Sequence, residues 1–161
     1  MGVNIPFEIV DFFYQLSLVV WLGGIIILSF IVAPTVFGSL PRPQAGPLQA
    51  KIFRRFHLWQ FVFMLVLLAS SMTRYHFWEN PENPDTLVVV RQIMIFLMVI
   101  LGVFQLNVIS KRMRVLREEI TSWEGDGKDD PKRQAFGRWH KISVRIVLVV
   151  LILGLAVLFL S

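Results

Sequence analysis

Four apolar segments dominate the sequence, and each is long enough to cross a lipid bilayer as a helix. They fall near residues 6–40, 47–78, 85–123 and 131–161, and the stretches between them are short and polar. About 20 apolar residues are needed to span the roughly 30 Å of hydrocarbon in a membrane. With 55% hydrophobic and only 17% charged residues, a soluble domain of this length has no core large enough to bury such segments. The sequence therefore predicts an all-α integral membrane four-helix bundle, formed by a single domain over residues 1–161.

Prolines and aspartates mark the predicted helix ends. Pro41 and Pro43 disfavour helical geometry in the residues before them, so they are expected to end the first helix. Pro47 is a suitable first-turn residue for the second helix. Asp85 precedes the third helix and Asp130 precedes the fourth, each in the position of an N-terminal cap. Pro34 lies inside the first segment and predicts a kink there.

The distribution of lysine and arginine predicts the orientation of the bundle. Of the sixteen such residues, only Arg74 and Arg91 fall away from the first-to-second and third-to-fourth connections. The positive-inside rule places these two connections in the cytoplasm and both termini on the non-cytoplasmic side. The expected location is a bacterial inner (plasma) membrane, where the basic residues meet anionic lipid headgroups rather than nucleic acid. Residues 1–7 contain no basic residue, so the first segment is expected to be retained rather than cleaved as a signal peptide.

Three polar side chains are predicted at a similar height near the cytoplasmic ends of the helices: His57, Asn107 and His140. Imidazole binds iron, copper and zinc, and histidines on facing helices of a bundle are suited to holding haem or a metal. These residues are therefore a candidate cofactor pocket, with haem b as one cofactor to consider. The alternative is that each histidine bonds to a backbone carbonyl or a headgroup at the interface.

Charged residues near the spans suggest two further sites. Asp11 and Arg91 are predicted at similar depth in the outer half, and an unpaired charge there is costly, so an Asp11–Arg91 ion pair or a short network is expected. Basic residues on the cytoplasmic side are candidates for binding an anion or a lipid headgroup, or they simply extend along the helices to reach the interface. These residues are Arg42, Lys51, Arg54, Arg138, Lys141 and Arg145. Arg145, the deepest of them, is expected to have a specific partner.

Methionines offer a weaker metal hypothesis. Met64, Met72, Met94 and Met98 are candidates for a ladder of thioether ligands for a soft metal such as copper. Flexible filling of the core explains them equally well. The chain has no cysteine, which excludes thiol catalysis, and it lacks phosphate-binding loops, nucleophile elbows and zinc-protease helices. A non-enzymatic role is therefore favoured over an enzyme.

Several residues around the first connection and in the fourth helix resemble the transmembrane protein 205-like family. They are Leu40, Pro41, Arg42, Gly46, Gln49, Lys51 and Phe53, followed by Phe136, Arg138, Trp139 and His140. The resemblance covers nearly the whole chain. It implies a four-span membrane domain, found in bacteria and eukaryotes, whose molecular activity is not settled. A eukaryotic member is associated with resistance to platinum drugs, which loosely implies export of metals or drugs.

Three functional hypotheses follow. The leading one is a non-enzymatic membrane protein with a polar and basic pocket near the cytoplasmic leaflet, acting as an accessory subunit of a larger membrane complex. The first alternative is a b-type haem protein that transfers electrons, with His57 and His140 as ligands. The second is an exporter of soft metals or metal-containing drugs. A homodimer is one form that the complex could take, since Gly23 and Gly24 permit helices to approach closely within or between chains.

Overall fold

Four long helices make up the described part of the chain in a computed structural model, which covers residues 6–79, 81–120 and 130–161 and, at Arg42, the backbone alone. Helix α1 runs over Phe7–Ser39, α2 over Arg42–Trp78, α3 over Thr86–Glu119 and α4 over Pro131–Phe159. No strand occurs within these residues. Each helix is long and apolar enough to span a membrane, so the predicted all-helical, four-span architecture is confirmed at this level. The predicted end of the third helix at residue 123 lies outside the described residues.

Local sequence explains where the helices begin. The carboxylates of Asp85 and Asp130 accept hydrogen bonds from the backbone N–H groups of Leu87 at 2.9 Å and Lys132 at 2.8 Å, so each caps a helix whose first N–H groups have no partner within the helix. Helix α2 begins at Arg42, earlier than the predicted start at Pro47. Pro47 is therefore the sixth residue of α2, and because proline has no N–H, the carbonyl of Pro43 lacks its usual donor there.

Two π-helical segments interrupt the α-helical geometry. One covers Ile27–Val32 in α1 and ends two residues before Pro34, and the other covers Gln105–Ile109 in α3. Proline has no N–H to donate to the preceding turn, and in a membrane the freed groups need a local rearrangement to satisfy them. Irregular turns such as the first segment are one such adjustment. The hydroxyl of Thr35 donates to the carbonyl of Ile31 at 2.7 Å in the same turn.

The helices pack as a square in which each contacts its neighbours. Helix α1 packs on α2 and α4, and α3 packs on the same two helices, so α1 and α3 occupy opposite corners. The core is formed by large apolar side chains that point to the centre, among them Tyr14, Leu18, Trp21, Met64, Leu67, Ile95, Met98 and Val157. In the most apolar 18-residue window of each helix, only 17% to 33% of the residues are buried. The remaining apolar surface faces outward, as expected of a protein that is solvated by lipid.

Three glycines allow the helices to approach closely. A Cβ added at Gly24 would lie 2.2 Å from the ring of Phe56 on α2, and one added at Gly154 would lie 2.3 Å from Leu22. At Gly102 the nearest atom is the sulfur of Met64, at 2.9 Å. Small residues at such positions are typical of helix contacts in membranes. Gly23 has open space beside it, so only Gly24 of this pair allows a close helix contact inside the bundle.

Candidate functional site

Four charged side chains form a network near the end of the bundle where α1 begins and α2 ends. Arg74 on α2 donates to the carboxylate of Asp11 on α1 at 2.8 Å and lies 3.4 Å from Glu79. Glu79, just beyond the end of α2, also accepts a hydrogen bond from Arg91 on α3. Both arginines are buried, with exposed fractions of 6% and 5%. Two guanidinium groups and two carboxylates give no net charge, which is how ionic groups are accommodated at low dielectric.

An aromatic ring lies against the same network and connects it to the fourth helix. Tyr14, fully buried, lies with its ring 4.5 Å from the guanidinium carbon of Arg74 and 6.0 Å from that of Arg91. Its hydroxyl is 2.9 Å from the hydroxyl of Ser161, which in turn donates to the carbonyl of Val157. A cation over an aromatic face is attracted to the ring electrons, most strongly when both are desolvated. All four helices are therefore linked at this end of the bundle.

Asp11 does not pair with Arg91 as predicted: Asp11 pairs with Arg74, Arg91 pairs with Glu79, and Glu79 also lies 3.4 Å from Arg74. The physical reason is the square packing: α1 and α3 lie at opposite corners, whereas Arg74 is on α2, which contacts both. The short network that was the alternative prediction describes the arrangement better. Sequence reasoning missed Glu79, because the residues after it have the composition of a solvated turn. Its position five residues after Arg74 was the available signal.

A second polar contact lies one layer below the charged network. The hydroxyl of Ser71 on α2 donates to the side-chain oxygen of Gln92 on α3, and the Gln92 amide donates to the backbone carbonyl of Ser71 at 3.1 Å. Both residues are buried. The pair satisfies its polar groups without water and joins α2 to α3 beneath Arg74 and Arg91.

The structure does not bring the three members of the predicted cofactor pocket together. Asn107 is exposed and its amide donates to the carbonyl of Val103 in the same helix at 3.0 Å. His57 is partly buried on α2 between the rings of Phe53 and Phe56. His140 is exposed on α4 and stacks on Phe136. The second π-helical segment, which was not predicted, directs Gln105 inward and leaves Asn107 on the outer face.

Gln105 provides the polar contact that was expected from Asn107. It is buried, and its amide donates to the hydroxyl of Ser143 on α4 at 2.6 Å. The hydroxyl of Ser110 donates to the backbone carbonyl of Gln105 at 2.9 Å, across the π-helical turn. These bonds hold α3 against α4 about halfway along the bundle.

Three of the four candidate methionines lie in or beside the apolar core, and Met72 is partly buried on α2. Met64 and Met98 are buried within the core, and Met94 packs against it. Met64 also fills the space next to Gly102. This placement is that of flexible side chains filling irregular gaps. Within the described ranges, no three histidine, aspartate or glutamate side chains are close enough to form a metal site.

Five of the six predicted basic residues are exposed, and the side chain of the sixth, Arg42, lies outside the described part of the structure. Lys51 and Arg54 lie on the outer face of α2, and Arg138, Lys141 and Arg145 lie on the outer face of α4. Arg145 was expected to have a specific partner. Among the residues that the structure describes, none forms a hydrogen bond or ion pair with it. Its exposure on α4 explains this, because the guanidinium points away from the other three helices.

A groove of about 440 Å³ opens between α3 and α4. Its lining consists of one face of α3 and a single tryptophan of α4: Asn107, Val108, Lys111, Arg112, Val115 and Trp139. It contains two cations and no acidic residue. Neither His57 nor His140 is among these lining residues.

These features define the class of the protein: a multi-pass helical protein with four helices able to span a membrane and outward-facing apolar surfaces. The chain belongs to the family described as Domain of unknown function (DUF4149), whose sequence profile matches residues 16–122. That range includes Arg74, Glu79 and Arg91, and it ends before α4. No curated protein and no solved structure matches the chain.

Proposed function

We propose that the chain is a non-enzymatic accessory subunit of a larger membrane complex, and that the outer face of α4 binds an acidic group of a partner protein. Arg145 is the observation that carries this proposal. It lies about 21 Å from Phe159 along the helix, inside the roughly 30 Å of hydrocarbon. A charge at such a depth is unfavourable unless it is paired or reaches the interface. Arg145 is exposed and has no partner in the described part of this chain.

The neighbouring residues support a partner on this face. Arg138 and Lys141 lie on the same side of α4 as Arg145, at intervals of three and four residues, and are also exposed. Leu148 and Ile152 continue the face toward the outer end as exposed apolar side chains. A partner helix with an acidic residue opposite Arg145 and apolar residues beyond it would match this pattern in charge and hydrophobicity. Haem binding and metal export rank below this proposal, because His140 and Asn107 are exposed, and Met64 and Met98 fill the core.

Photo-crosslinking in intact cells tests the role of Arg145. A photoreactive amino acid at Leu148, one turn from Arg145, is expected to give a crosslinked protein band. Arg145→Leu should reduce that band about fivefold, corresponding to the roughly 1 kcal/mol of a polar contact between membrane helices, and Arg145→Lys should restore much of it.

The control is the same probe at Leu65, an exposed residue of α2, whose adducts should not depend on Arg145. Adducts to lipid alone at Leu148, unchanged by Arg145→Leu, would show that Arg145 extends to the lipid headgroups and would contradict the proposal.

The proposal includes the orientation expected from the basic residues, in an inner membrane with both termini outside. Because the chain has no cysteine, single-cysteine variants provide a direct test. Glu82→Cys, between α2 and α3, should react with a membrane-impermeant maleimide in intact spheroplasts. Glu118→Cys, near the end of α3, should react only after the membrane is opened. Both glutamates are exposed, so burial does not bias the comparison, and the reverse labelling pattern would refute this orientation.

The resemblance to the transmembrane protein 205-like family remains part of the proposal. It agrees with the four-span architecture and adds no mechanism. Its motif residues Arg138 and His140 lie on α4, beyond the range matched by the family profile.

A further inference from the structure

The groove between α3 and α4 lies at the height where hydrocarbon meets lipid headgroups. Trp139 is about 30 Å from Phe159, the outer end of α4, and Lys111 is about 38 Å from Thr86, the outer end of α3. The hydrocarbon of a bilayer is about 30 Å thick. The tryptophan therefore reaches the boundary, where amphipathic rings are enriched, and the two cations lie just beyond it.

Contacts on both sides of the groove keep the two helices together. Toward the membrane centre, Gln105 bonds to Ser143 at 2.6 Å. Toward the other end, the guanidinium of Arg117 lies 5.5 Å from the ring of Phe136, and Lys132 lies 3.6 Å from Glu119. The groove occupies the interval between these contacts. It is consequently part of the packed fold and does not depend on a chance separation of helix ends.

The lining is apolar toward the membrane centre and basic toward the headgroups, which is the order of the acyl chains and the headgroup in a lipid. Val108, nearer the membrane centre, and the ring of Trp139 provide an apolar wall. Lys111 and Arg112 follow one turn of α3 later, toward the headgroups. The side-chain amide nitrogen of Asn107 donates to the carbonyl of Val103. The side-chain oxygen of Asn107 remains as an acceptor for a hydroxyl group.

We propose that this groove binds one acidic phospholipid, with its phosphate between Lys111 and Arg112 and the start of an acyl chain along Val108 and Trp139. The charge of the groove selects this occupant, because its lining has two cations and no carboxylate. Guanidinium and ammonium groups bind phosphate oxygens through charge-assisted hydrogen bonds. An acidic headgroup also carries net negative charge, which a zwitterionic headgroup lacks. The site is separate from the α4 face around Arg145, and this inference goes beyond the proposed function.

Native mass spectrometry of the purified protein tests the proposal. The protein in mild detergent is titrated with phosphatidylglycerol, with phosphatidylcholine, and with inorganic phosphate. We expect one phosphatidylglycerol to bind in preference to phosphatidylcholine. Lys111→Gln with Arg112→Gln should weaken phosphatidylglycerol binding about 30-fold, since each basic residue near the headgroup contributes about fivefold. The control, Arg55→Gln with Arg114→Gln, removes two exposed cations that do not line the groove and should leave this binding unchanged.

A second variant separates shape from charge. Val108→Trp fills the groove without altering any charge, and it should also reduce phosphatidylglycerol binding. The proposal is overturned if the wild-type protein binds the two lipids equally or if the Lys111 and Arg112 variant binds as wild type does. Displacement of the lipid by millimolar inorganic phosphate would instead indicate a site for free anions. A photoreactive residue at Val115 that captures a protein rather than lipid would assign the groove to a partner helix. Because the titration uses the protein alone, its outcome does not depend on the accessory-subunit proposal.

Discussion

Replacing Arg74 with leucine is expected to destabilise the protein by about 3–5 kcal/mol, the usual cost of removing one partner from a buried ionic group. Among the residues described, Arg74 alone forms ion pairs with both Asp11 and Glu79. Without it, Asp11 loses its cation, only Arg91 remains to balance two carboxylates, and the ring of Tyr14 loses its closest cation. Equilibrium unfolding in mixed micelles, followed by circular dichroism, measures the change.

Two further variants identify the cause of that loss. Arg54→Leu removes an exposed arginine from the same helix and should change stability by no more than about 0.5 kcal/mol. Combining Arg74→Leu with Asp11→Asn leaves the Glu79–Arg91 pair neutral, so part of the lost stability should return. If the double variant is no more stable than Arg74→Leu alone, the charge balance of the network is not what stabilises this end of the bundle.

The second large effect is expected at Gly24. An alanine there would place its Cβ 2.2 Å from the ring of Phe56, a distance that real contacts do not reach, so α1 and α2 must move apart or the ring must shift. Overpacking of this kind costs about 1–3 kcal/mol. The same unfolding measurement applies.

Gly23 provides a matched control one residue away. Its added Cβ meets open space, and alanine favours helix by up to about 1 kcal/mol relative to glycine. Gly23→Ala should therefore be neutral or stabilising while Gly24→Ala is destabilising. Equal effects at the two positions would mean that helix propensity, rather than the contact with Phe56, determines the result.

The helices were predictable because their signals are local. Apolar length marks the spans, and Asp85 and Asp130 precede α3 and α4 as capping residues whose hydrogen bonds the structure shows. The start of α2 was not predictable from Pro47, which lies inside the helix as its sixth residue and not in the first position that proline favours. Sequence indicates where a helix is permitted, and the surrounding chain determines how far it extends.

The side-chain partners were harder to predict because they depend on which helices are neighbours. The predicted depth placed Asp11 and Arg91 in one layer, and both belong to the network that Arg74 and Glu79 complete. It did not show which helices are adjacent and which are diagonal. Asp11 pairs with Arg74 because α1 is adjacent to α2 and diagonal to α3. In the other half, Asn107 was predicted from regular helical spacing, which the π-helical turn of Gln105–Ile109 alters. Such a turn has no clear signal in one sequence.

That turn also determines which residues of α3 line the groove beside Trp139. A π-helical turn contains one residue more than an α-helical turn, and one residue corresponds to about 100° of rotation around a helix. Shortening α3 by a single residue within this turn would rotate everything between it and Glu119 by that angle. Lys111 and Arg112 would leave the wall opposite Trp139, and Arg117 would lose its alignment with Phe136. The direction in which an entire cationic surface faces is thus determined by one additional residue in the middle of an otherwise uniform apolar helix.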